Sequence, residues 1–128
     1  MLNLARPLFT WVSLARVVLI IFGLILLVPA VHPDGVDLRW TMYSNADKIL
    51  HAIAGFLLTV LGLMALPRVS ATAIFFVISG IVAAVELVQL VGPRSGDLVD
   101  FLMGLLGIST VALTHQISKY RLQLEQST

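Results

Sequence analysis

The sequence predicts an all-α integral membrane protein: a bundle of four transmembrane helices with both termini cytoplasmic. Three observations carry that expectation. Of the 128 residues, 59% are apolar and only 12% charged, with a mean hydropathy of +1.00; an ordinary soluble domain is about 45–50% apolar and about 25% charged. So short a chain has too little interior to hide that excess, and a lipid solvent accounts for it more simply. Finally, four apolar stretches approach the length of about 20 residues that a spanning helix needs. A single transmembrane domain over residues 1–128 follows, with no room for a separate soluble one.

The first stretch holds Val17 to Val28 (VVLIIFGLILLV). It is long enough if the helix begins near Leu8, with Trp11 at the interface and Arg16 snorkelling to the headgroups. Pro29 and Pro33 are expected to end it. A rival reading takes Arg6, Arg16, the apolar run and Val28-Pro29-Ala30 as a secretory signal with its cleavage site. The second helix is expected from Ala46 to Leu66, stopping at Pro67. The third runs from Val69 to Val91 and stops at Gly92–Pro93. The fourth runs from Leu98 to Ile117, and a polar tail, Ser118 to Thr128, follows.

Orientation is read from Lys and Arg near the helix ends. Arg6, Arg16, Arg68, Lys119 and Arg121 fall on one side, and Arg39, Lys48 and Arg94 on the other. The richer side is assigned to the cytoplasm. The connection at Pro67–Ser70 has room only for a tight turn. The net charge of +1 gives no electrostatic footprint for nucleic acid. Cysteine is absent, which excludes disulfides and thiolate metal sites.

With this topology, Asp34, Asp37, Asp47, Glu86, Asp97 and Asp100 lie on the outer half, and only Glu125 lies inside. At a rise of about 1.5 Å per residue, His51 sits roughly 6 Å below Asp47 on the same helix face. Glu86 sits about 9 Å below Gly92, with Gln89 on its face at i+3. Asp100 follows Asp97 at i+3. Three helices thus bring Asp47, Lys48, His51, Glu86, Gln89, Arg94, Asp97 and Asp100 into one shallow polar cup.

Several of these residues have bland explanations. Asp47 fits a capping box after Ser44, and Asp97 fits an N-cap with Asp100 as its N3 acid. Lys48 can snorkel, and Asp34, Asp37, His32 and Arg39 read as a solvated loop. Glu86 resists such an account, because it lies in AIFFVISGIVAAVELVQLV with no helix end to cap. An ionisable group at that depth costs several kcal/mol unless it is paired or hydrated, so Arg94, His51 or Lys48 is expected beside it. Gly55 and Gly62 continue the His51 face, and Gly104 and Gly107 continue the Asp100 face. These small residues suit close helix packing beneath the cup.

The order and spacing of these residues resemble the VanZ-like membrane proteins. The matching pieces are Asp47-Lys48-Ile49-Leu50-His51 with Phe56 following, Glu86-Leu87-Val88-Gln89, then Arg94-Ser95-Gly96-Asp97-Leu98-Val99-Asp100 and Gly107. The match covers about Asp47 to Gly107, inside a motif-bearing part at 46–117. One departure stands out: the family usually has asparagine where this chain has Gly104, which removes a side-chain amide from the expected cup.

The resemblance implies a multi-pass protein of the bacterial inner (cytoplasmic) membrane, in a family linked to teicoplanin resistance. The expected ligand is an anionic lipid-linked or peptidoglycan-related group, such as a lipid-linked cell-wall precursor, held by Arg94 and Lys48. Acids outnumber bases in the cup, so a bare anion would be repelled. Partial protonation of the acids is one remedy; a divalent cation held by carboxylates, Mg²⁺, Ca²⁺ or Mn²⁺, is the other. Two alternatives stand beside this expectation. One is a hydrolase or transferase acting on a lipid phosphate, with His51 and Asp47 or Glu86 as an acid–base pair, although Ser95 has no evident base beside it. The other is a passive assembly protein in which the cluster only locks helices together.

Overall fold

A computed structural model describes residues 5–31, 46–91 and 97–127. It contains four helices, α1 (Ala5–Val31), α2 (Ala46–Ala65), α3 (Ala71–Val91) and α4 (Leu98–Ser127), and no strand among the described residues. All four are long and apolar enough to cross a membrane.

Helix ends follow local chemistry, with three corrections to the sequence reading. Between α2 and α3, Leu66 N–H donates to Gly62 O and Val69 N–H to Leu66 O, each at 2.9 Å, which closes the tight turn. Ser70 Oγ accepts the Ala73 N–H at 3.1 Å. Ser70 is thus the N-cap of α3, and this moves the start of α3 from Val69 to Ala71. Pro29 does not end the first helix, because α1 continues to Val31. In the last turn the missing proline N–H costs one terminal bond rather than an interior one. The fourth helix does not stop at Ile117: α4 continues through the polar residues to Ser127. SKYRLQLEQS contains no Pro or Gly and several strong helix formers. At 30 residues α4 is about 45 Å long, roughly ten residues more than a hydrocarbon core of about 30 Å requires.

The most intimate contact joins α2 to α4, which are not neighbours in sequence and run parallel. Glycine makes this possible. A Cβ on Gly55 would collide with the Gly104 carbonyl oxygen, and one on Gly107 with the Ala52 carbonyl oxygen. The two backbones touch directly, as small residues allow in membrane bundles. Gly62 departs from the expected seam: its neighbours are Ile74 and Ile78 of α3. Those two residues and the fully buried Ile108 form the apolar core, with Leu58, Leu63, Phe75 and Val82 packed around it.

Helix α1 packs mainly on α2 and also touches α3. Ala15 is buried, and Arg16 Nε donates to the Ala65 carbonyl at 3.0 Å. Arg16 therefore does more than snorkel: it satisfies an orphan carbonyl at the C-terminus of α2, where a cation also suits the helix dipole. That contact and the buried Ala15 tie α1 into the bundle. Near the same end, Gln116 Nε2 donates to Thr72 Oγ1 at 2.9 Å, linking α4 to α3.

The outer surface is apolar over its whole girth. Ile20, Ile25, Phe76, Val77, Leu106 and Leu113 are among many large exposed hydrophobic residues. Water-soluble monomers rarely expose contiguous apolar patches beyond a few hundred Å², whereas lipid solvates such a surface without penalty.

Candidate functional site

The polar residues gather where α2 and α4 begin and α3 ends. His51 lies one turn into α2. Its Nδ1 is 3.7 Å from Glu86 Oε1 of α3, and its Nε2 is 3.9 Å from Asp100 Oδ2 of α4. The two distances lie within ion-pair range but beyond a hydrogen bond. One imidazole thus stands between two carboxylates from two other helices. The α2–α4 seam sets this arrangement, because backbone contact at Gly55 and Gly104 brings His51 level with Asp100.

Of the partners considered for Glu86, the structure brings His51. Lys48 instead lies beside Asp47, with Nζ 3.9 Å from Oδ1, and the same Oδ1 accepts the Lys48 N–H at 2.9 Å. Arg94 falls outside the described residues, as do Ser44 and the loop residues His32, Asp34, Asp37 and Arg39. Gln89 is half-buried one turn beyond Glu86.

The cap on α4 differs from the sequence reading in an informative way. Asp97 is the N-cap: its Oδ1 accepts the Val99 N–H at 2.9 Å. In a capping box Asp100 would reach back to the Asp97 N–H. Glu86 Oε2 takes that N–H instead, at 3.2 Å. Glu86 therefore ties α3 to the first turn of α4, and Asp100 is released from capping to face His51.

Burial sharpens the picture. Glu86 is 7% exposed and Asp100 9%, yet Glu86 Oε1 and Asp100 Oδ1 are buried without a hydrogen-bond partner. The His51 side chain is 33% exposed, so the imidazole is the open side of the cluster. Buried polar atoms are nearly always paired, and two orphaned oxygens at one site call for donors. A third buried and unpaired oxygen, Ser79 Oγ, lies seven residues before Glu86. The sequence reading passed over it; a spacing of seven, two helical turns, was the available signal. Thr59, Ser109, Thr110 and Thr114 instead donate to the carbonyl four residues back.

Gly104 does not open onto the cup as expected. It is buried, and a Cβ there would lie 3.3 Å from Val82 Cγ1 and 3.8 Å from the His51 carbonyl. An asparagine at this position would have to displace Val82. Among the described residues, no group of three or more His, Asp or Glu is arranged to hold a metal ion. The imbalance of charge that suggested a cation holds among the described residues, where the acids Asp47, Glu86, Asp97 and Asp100 outnumber the bases Lys48 and His51. No family model, curated protein or solved structure matches this chain.

Proposed function

We propose that this chain is a VanZ-like protein of the bacterial cytoplasmic membrane, spanning it four times with both termini inside. Its outward polar cup recognises the headgroup of a lipid-linked or peptidoglycan-related ligand. The observation that carries this reading is the meeting of His51, Glu86 and Asp100, one from each of three separate sequence motifs, at one end of an apolar bundle. Buried oxygens without partners are rare, and two at one site favour ligand binding over a role that only locks helices. An anionic part of the ligand would lie at the rim, near Lys48. The carboxylates below would accept hydrogen bonds from its donor groups.

Two measurements test this reading. Expression in a glycopeptide-susceptible host is expected to raise the teicoplanin concentration needed to stop growth. Unchanged susceptibility with the protein present in the membrane would overturn the envelope role. Orientation is checked with single cysteines, since the chain has none of its own. Gly35→Cys, between α1 and α2, is expected to react with an impermeant maleimide on intact cells whose outer barrier is opened. Val69→Cys, exposed in the α2–α3 turn, is expected to react only after lysis. Ser70 is the wrong choice there because its hydroxyl caps α3. The reverse labelling pattern would put the cup on the cytoplasmic side.

A further inference from the structure

The geometry points to a primary ammonium group as the part of the ligand that enters the Glu86–His51–Asp100 cluster. Glu86 Oε1 and Asp100 Oδ1 would accept its N–H donors. This inference deepens the proposed headgroup recognition and rests on it.

The argument starts from the unpaired oxygens. Glu86 and Asp100 are 7% and 9% exposed as residues; Glu86 Oε1 is itself the oxygen nearest the imidazole, while Asp100 approaches the ring through Oδ2 and leaves Oδ1 unpaired. A carboxylate only accepts hydrogen bonds, so the missing partner is a donor. Charge then narrows its identity. A neutral imidazole carries one N–H and would serve one carboxylate while turning a lone pair to the other; an imidazolium serves both. Two carboxyl groups beside a single imidazole leave the trio short of positive charge and of donors. A monocation with several N–H bonds supplies both the charge and the donors. A divalent metal fits less well, since no cluster among the described residues is arranged to hold an ion. A quaternary ammonium supplies the charge without an N–H.

The surroundings indicate how such a group would arrive. His51 is the exposed member, so entry is from the end of the bundle. Lys48 and Asp47 stand at that entrance, and Lys48 Nζ is placed to meet a phosphate. Leu87, Leu90, Val91 and Leu98 are exposed at the same end and offer an apolar wall. Phosphate, ammonium and acyl chain together describe a zwitterionic lipid headgroup. A soluble amine shares the ammonium chemistry but would make no use of the apolar wall.

The test uses the full chain in nanodiscs with a phosphatidylglycerol matrix. One set carries phosphatidylethanolamine and the other phosphatidylcholine, which differs by replacing every N–H with a methyl group. Lipid retained through detergent extraction is measured by mass spectrometry. Retention of phosphatidylethanolamine is expected to exceed that of phosphatidylcholine by about tenfold, the size of a lost hydrogen bond to a charged group. In Asp100→Asn and in Glu86→Gln the preference is expected to fall to about threefold or less. Ethanolamine and phosphoethanolamine, added to the phosphatidylcholine discs, separate the two sources. Stabilisation by either would assign the ammonium to a soluble amine, and none would assign it to the lipid. Equal retention of both lipids by the wild-type chain, with no effect of soluble amines, overturns the inference. So does a preference that survives in both acidic variants. Lipid indifference alongside an intact teicoplanin effect would remove the ammonium and leave the envelope reading standing; an ammonium preference without a teicoplanin effect would do the reverse.

Discussion

Gly107→Ala is expected to destabilise the bundle by about 2 kcal/mol or more, although alanine is the better helix former. The added Cβ would overlap the Ala52 carbonyl oxygen and come within 2.9 Å of the Phe56 nitrogen. Both are backbone atoms of α2, so no side chain can rotate away and the two helices must separate. Overpacking of this kind costs about 1–3 kcal/mol and at times more. The helix-propensity gain of about 1 kcal/mol offsets only part of it. Gly55→Ala meets the Gly104 carbonyl and belongs to the same class. Gly104→Ala is expected to be milder, because its nearest neighbour is the tip of one valine side chain. Gly80→Ala is the control: nothing lies within 4 Å of the added carbon, so stability should stay level or rise by up to about 1 kcal/mol. Thermal unfolding in mild detergent, read by loss of the monodisperse species, ranks the four variants. If Gly107→Ala is as stable as Gly80→Ala, the direct backbone contact between α2 and α4 does not exist.

The second large effect concerns activity rather than stability. Glu86→Gln and Asp100→Asn are expected to reach the membrane at near-normal levels and to lose the teicoplanin effect. Glu86→Gln keeps an oxygen to accept the Asp97 N–H, so the tie between α3 and α4 survives while the charge opposite His51 is removed. Breaking a fully buried ion pair costs about 3–5 kcal/mol. His51 is one-third exposed and its contacts exceed hydrogen-bond length, so a smaller loss is expected here. Lys48→Gln is expected to weaken the effect less than either acidic variant, because Lys48 stands at the entrance beside Asp47 rather than in the buried cluster. Immunoblot abundance measured beside teicoplanin susceptibility separates folding from function. If both acidic variants remain active at normal abundance, the cluster only joins helices and the binding site lies elsewhere.

The sequence exposed much of this site and misjudged its wiring. Glu86 stood out because nothing local could satisfy a carboxylate amid nineteen largely apolar residues. The depth arithmetic set His51, Glu86 and Asp100 in one layer, since helical rise is fixed by the backbone. The partner of Glu86 was not legible, because it depends on the rotation of α2 about its axis. Nor was the exchange at the start of α4, where Glu86 takes the backbone N–H that a local capping box would assign to Asp100. Local motifs describe the choices open within one helix, and a side chain from α3 was outside that set. Gly104 was misread for a similar reason. Its spacing from Asp100 puts it beneath the acid, but the nearness of Val82 and the α2 backbone decides that this space is already filled.

The four helices, about half of their ends and the apolar surface follow from local sequence alone. Hydropathy, proline and capping chemistry act over one helix at a time and need no knowledge of neighbours. That α2 lies against α4, with Gly55, Gly104 and Gly107 setting their register, emerges from the packed bundle. That register places one imidazole between two buried carboxylates and leaves two oxygens without donors. Such a contact depends on which backbones can approach closest, a property shared between helices that no single segment carries.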